Sequence, residues 1–191
     1  DPDQLHRAEG RLPGGHQGFE ALAQALQETD LDTVFLGRRS DADGAALVTA
    51  AGFHWLTLPG PAVGDAGLAH DGWLPVTPEQ DAADTVAVLD GRPLHAVVVD
   101  HYALDARWHD AVRRATGVAL VAIDDLADQP LAVDLLVDPN PAADHAAKWH
   151  AVLRRPARLC TGPTHALLDR AYRRQPARPW HDRVACIGIF M

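Results

Sequence analysis

Short apolar runs alternate along the chain with longer stretches whose apolar residues recur at helical spacing. The runs predict strands and the longer stretches helices. Strands are expected at 5–9, where the signal is weakest, and at 33–36, 55–58, 95–100, 118–125 and 134–138. Helices are expected from Gly15 or His16 to about 28, with Phe19, Leu22, Ala23 and Leu26 on one face, and at 41–51, 78–89, 104–116, 142–148 and 165–174. Residues that start and stop helices fall at the joints. Asp41 or Asp43 can cap the second helix, and Gly52 and Gly117 end two others. Thr77-Pro-Glu-Gln offers a cap residue, a proline at the first helical position and a glutamine at the capping-box position. Residues 59–75 are rich in glycine and proline and read as a loop.

Strands such as 95–100 and 118–125 are apolar on both faces, and helices separate them. That combination predicts an α/β fold: a Rossmann-like parallel sheet with helices on both faces. One domain is expected over 1–175, then a linker over 176–183. The apolar run 184–191 reads as the first strand of a further domain.

Composition narrows the functional classes. Of 191 residues, 47% are hydrophobic, enough for a sizeable core. The net charge is −9 and the arginines are scattered in short pairs, which argues against nucleic acid as a partner, because phosphate backbones need clustered Lys and Arg. The two cysteines, Cys160 and Cys186, form no CxxC, so a thiolate zinc site is not expected. No apolar run is long enough to span a bilayer and no signal peptide is evident, so the expectation is a cytoplasmic protein without a membrane span. No GxGxxG occurs, and the eleven histidines show no ligand spacing; neither a cofactor nor a metal is expected. His145 and His150 read as solvated helix residues.

Ligands of open α/β sheets sit at the carboxyl ends of the strands, and three polar groups fall there. Gly14-Gly15-His16 turns tightly into a helix, whose free N–H groups favour a neutral, proton-accepting imidazole, although spacing alone favours a loop histidine without a role. Asp100-His101-Tyr102 follows the strongest strand. Here a site and a simple turn, with the tyrosine hydroxyl satisfied by packing, are equally compatible. Asp124-Asp125 follows the next strand; a pair of carboxylates can hold a cation, share a proton or cap a loop, and the loop role is favoured over metal.

Taken in order, these landmarks resemble a known family. Arg7-Ala-Glu-Gly followed by Gly14-Gly15-His16 is similar to the opening of the UDP-sugar hydrolases of pseudaminic acid biosynthesis and of their spore-coat polysaccharide relatives. Val97-Val-Val-Asp-His-Tyr102, Ile123-Asp-Asp, Asp134-Leu-Leu-Val-Asp-Pro-Asn and Gly162-Pro-Thr-His match further landmarks in the same sequence. The resemblance implies the N-terminal domain of a two-domain GT-B fold, whose second domain holds most of the nucleotide. It implies hydrolysis of a UDP-linked 2,4-diacetamido-trideoxyhexose to the free sugar and UDP. His16 would be the base for water, with Asp100 and Tyr102 in the catalytic group; Arg7, Gly14, Gly15 and His101 would shape the substrate pocket. The chain departs from the pattern after His16, where Gln17-Gly-Phe19 stands in place of Val-Met-Arg. A transferase on the same fold, or a non-catalytic domain of a larger polysaccharide-biosynthesis protein, are the competing readings.

Overall fold

The computed structural model describes residues 16–29, 31–38, 42–60 and 74–173. The expected strands at 5–9 and 184–191, the linker, Arg7, Gly14 and Gly15 lie outside them. The described elements alternate up to β4, as the periodicity predicts, and β5 follows β4 directly: α1 (His16–Gln27), β1 (Val34–Arg38), α2 (Ala42–Ala50), β2 (His54–Leu58), α3 (Pro78–Leu89), β3 (Ala96–Val99), α4 (Ala106–Thr116), β4 (Ala119–Ile123), β5 (Leu135–Asp138), α5 (His145–His150), β6 (Arg158–Thr161) and α6 (Arg170–Arg173). The strands form two parallel sheets, β1-β2 and β3-β4-β5-β6, and helices flank the larger one in a Rossmann-like α/β arrangement.

Local chemistry accounts for the helix ends. The Thr77 hydroxyl accepts the Gln80 N–H at 3.2 Å to open α3, although the Gln80 side chain turns to Asp84 at 2.8 Å and does not close the capping box. Asp105 caps α4 through the Arg107 N–H, so the helix begins at Ala106, two residues after the expected start at 104. Gly117 ends α4 at φ 71°, and its N–H donates to the Arg113 carbonyl. A left-handed backbone of this kind is cheap for glycine alone.

In the larger sheet, register places Val97 beside Leu120, and Val99 beside Ala122 and Leu136 in turn. This face carries the core: Val99, Leu120, Ala122 and Leu136 pack with Leu104, Trp108 and Val112 of the α4 region, and with Trp149 of α5. Trp149 and Leu120 are fully buried; burying a side chain of this kind contributes about 2–3 kcal/mol. A smaller cluster of Ala23, Val48 and Phe53, with Phe35 and Trp55 against it, joins α1 and α2 to the β1-β2 sheet. The Trp55 ring crosses Gly37 so closely that a Cβ there would overlap it, which explains a glycine in mid-strand.

Three expectations need correction. The helix expected at 142–148 runs His145–His150, because Asp144 caps it by accepting the Ala147 N–H at 2.9 Å. The helix expected at 165–174 is a 3-10 turn, Pro163–His165, followed by one turn at Arg170–Arg173. Ala166 between them is extended, at φ −61° and ψ 131°. Strand β6 is absent from the elements that periodicity predicts. Its four residues are too few for a periodic signal, and pairing with β5 makes them a strand.

Under the sheet lies His109, fully buried on α4 beside Trp108. Its Nδ1 accepts the Ala132 N–H at 3.5 Å, while its Nε2 has no hydrogen-bond partner. Burial lowers its pKa to about 4, with the Arg113 charge adding to that effect and Asp105 and Asp110 opposing it. The unfolded chain takes up this proton near pH 6.5, whereas the folded chain resists until about 4. Stability held above pH 6.5 is therefore lost as pH falls through this window, by about 3 kcal/mol in all. Urea unfolding at several pH values should show the parent losing this much stability relative to His109→Gln as pH falls from 6.5 to 4, a difference in which other groups such as Asp100 cancel. Equal acid sensitivity of the two proteins would assign the effect elsewhere.

Candidate functional site

Because β3, β4, β5 and β6 are parallel, their carboxyl ends share one edge of the sheet. Asp100 follows β3, Asp124 and Asp125 follow β4, and Asp138 ends β5. Buried strands leave little room for polar atoms along their length, so polar side chains collect where the strands stop.

Asp100 is partly buried there. Its pKa is raised to about 7, first by burial and then by the charges of Asp124 and Asp125. A carboxyl in this state can hold or release a proton near neutrality. Burial also raises the Asp124 carboxyl, against two N–H donors, from Leu126 at 2.7 Å and from Ala127 at 3.3 Å. Those bonds give Asp124 the loop-capping role favoured from the sequence.

Asp125 does something else. Its Oδ1 accepts the Tyr102 hydroxyl at 2.8 Å and its Oδ2 accepts the Asn140 amide at 2.6 Å. Burial and the Asp125 hydrogen bond push the Tyr102 phenol above its ordinary range, so it remains protonated. With its O–H donating a hydrogen bond to Asp125, Tyr102 offers a ligand its oxygen as an acceptor. His101 Nδ1 accepts the Ala103 N–H at 3.1 Å, which puts the proton of the neutral ring on Nε2.

Behind this row, Asp138 is fully buried. It accepts Lys148 Nζ at 2.8 Å, Trp149 Nε1 at 3.1 Å and the Asn140 N–H at 3.1 Å. Lys148 also donates to the Asp125 carbonyl at 2.7 Å. His145 is not solvated as its place on a helix implies. Its side chain is 20% exposed, its Nδ1 lies 3.7 Å from Asp138, and that nitrogen is buried without a hydrogen bond. His150 is exposed.

The structure thus brings Asp100 and Tyr102 together with Asp124 and Asp125, and His101 lies between them in the chain. His16 opens α1, as expected, but its side chain lies outside the described residues. Sequence reasoning misses Asn140, Lys148 and Asp138 as part of this cluster. Asp138-Pro-Asn140 is visible only as a landmark of the family resemblance, and Lys148 as one position of a helix.

Two other features lie apart from this edge. A concavity of about 190 Å³, lined by Val86, Leu89, Arg92, Thr116 and Val118 among others, opens at the amino end of β4. Arg38, at the end of β1, is spent internally: its guanidinium donates to Asp81 and to the Pro59 carbonyl and lies 2.9 Å from Asp84. Among the described residues no group of three or more His, Cys, Asp and Glu is arranged to hold a metal ion, and no helix is long and apolar enough to cross a membrane. Compared with known proteins, the chain matches no family model and no curated sequence.

Proposed function

We propose that the chain is the sugar-binding domain of a nucleotide-sugar hydrolase with GT-B architecture, cleaving a UDP-linked diacetamido-trideoxyhexose. One observation carries this reading: Asp100, a carboxyl poised near pH 7, stands at the end of β3 beside Tyr102 on Asp125. The order of landmarks from Arg7 through Gly162-Pro-Thr-His supports it.

In this reading water attacks the anomeric carbon, and the C–O bond to the diphosphate breaks. The bond's electron pair leaves with UDP, and the proton of water passes to His16 at the start of α1. Asp100 holds or returns a proton within the same cluster, and Tyr102 accepts from a hydroxyl or amide N–H of the sugar. Gly14, Gly15, Arg7 and His101 line the substrate, and no cofactor takes part. The nucleotide rests mostly against a second domain, and the protein acts in the cytoplasm on a soluble intermediate of surface-polysaccharide synthesis.

The experiment is turnover of a panel of UDP-sugars, following UDP and free sugar together in the parent and His16→Ala. Both products should appear in equal amounts, and the variant should lose about a hundredfold or more of the rate. UDP released only with an acceptor present, and sugar joined to that acceptor, would make the protein a transferase. A folded protein that releases no UDP from any member of the panel would refute the reading.

A further inference from the structure

We infer that Asn140 is a positioning residue for the Tyr102 hydroxyl, acting through the Asp125 carboxylate; the inference rests on reading this cluster as the sugar-side site. Asp125 is gripped at three points. Tyr102 donates to Oδ1, Asn140 donates to Oδ2, and Lys148 donates to the main-chain carbonyl. A carboxylate bound only by the tyrosine would be able to turn about its Cβ–Cγ bond and offer either oxygen. With Oδ2 held at 2.6 Å by an amide, the plane of the group is set and Oδ1 stays on the phenol.

Asn140 is itself fixed. Its main-chain N–H donates to Asp138 Oδ1 at 3.1 Å, and Asp138 Oδ2 anchors Lys148 at 2.8 Å. One fully buried carboxylate therefore braces two of the three groups that hold Asp125, Asn140 and Lys148. The loop after β5 orients the loop after β4, which in turn orients the loop after β3. Asn140 is exposed, and an exposed hydrogen bond contributes little to folding. Its effect falls on the direction of the Tyr102 O–H, and so on which face of the phenol oxygen a sugar donor meets.

The chain has two tyrosines, so Tyr172→Phe leaves Tyr102 as the sole one. In that background a ¹³C label at the tyrosine Cζ gives one resonance at neutral pH, which reports whether the hydroxyl donates to a carboxylate. Asp125→Asn marks the position for a phenol without a carboxylate partner, and urea-unfolded protein gives a second reference. Asn140→Ala and Asn140→Asp both remove the amide donor, and both should move the resonance most of the way to those references. In the turnover assay Asn140→Ala should lose up to about a hundredfold in kcat. The double variant with Tyr102→Phe should be no slower than Tyr102→Phe alone. A resonance unmoved by either Asn140 substitution overturns the inference. The resonance is read without substrate, so a parent that releases no UDP defeats the hydrolase reading separately.

Discussion

Replacing Arg38 by methionine is expected to destabilise the fold by about 3–5 kcal/mol. The methionine would fill much of the space but leave two carboxylates, Asp81 and Asp84, without their cation. The side chains of Arg38 and Asp81 are 6% and 5% exposed, so water cannot replace the lost partner. The ends of the network multiply the loss. Arg38 also donates to the Pro59 carbonyl at 2.6 Å, and Trp108 Nε1 donates to the second Asp81 oxygen at 2.8 Å. One ion pair thereby ties β1 and the end of β2 to α3 and α4, the helices over the larger sheet. Urea unfolding at neutral pH measures the change. Arg38→Met combined with Asp81→Asn should regain part of the loss, since it removes one stranded charge along with the cation. A cost below about 1 kcal/mol for Arg38→Met would mean that the pair behaves as an exposed one.

Asp100→Asn is expected to stabilise the protein at alkaline pH and to disable it. The sign follows from the raised pKa. Between pH 3.8 and about 7 the folded carboxyl holds a proton that the unfolded one has released, so stability falls as pH climbs through that window. Above it the ionised Asp100 costs roughly 3–4 kcal/mol, less whatever solvent reaches this partly buried group. Asparagine removes that cost. The variant should gain up to about 3 kcal/mol over the parent at pH 8 and nothing near pH 3.5. Under the proposed function its UDP release should fall about a hundredfold or more. Equal unfolding midpoints of the two proteins at pH 8 would show that Asp100 ionises there without penalty. Burial that destabilises the charged form is also what brings the carboxyl into the range of acid–base work, so the two effects share a cause. His109 pulls the other way over nearly the same range, so between about pH 4 and 6.5 the two contributions largely offset each other.

The cluster around Asp100 is partly legible in the amino-acid sequence. Asp100, His101 and Tyr102 follow an apolar strand, and Asp124-Asp125 follows another; in a parallel sheet both positions lie on the ligand-binding edge. The roles are not legible there. Whether Tyr102 merely packs or joins a network depends on Asp125, 23 residues away, and the position of Asp125 depends on Asn140, 15 residues further on. His145 shows the same limit: helix period alone places it in solvent, while the buried Asp138 draws that face of α5 inward. Arg38 and Arg39 read as one of several scattered basic pairs. Only the packing of α3 against the end of β1 shows Arg38 consumed by two carboxylates.

By itself, the order of apolar runs and helical stretches determined the α/β class, and most element types between 16 and 138. Those features rest on interactions within a few residues, such as the Thr77 cap, the Gly117 stop and apolar spacing. The structure, and not the sequence pattern, shows that 158–161 pairs as a strand and that 166–169 interrupts the helix expected over 165–174. It alone decided how the loops after β3, β4 and β5 lock together. The pairing of 158–161 and the locking of the loops are set by partners distant in sequence, whose meeting depends on the register of strands in the sheet.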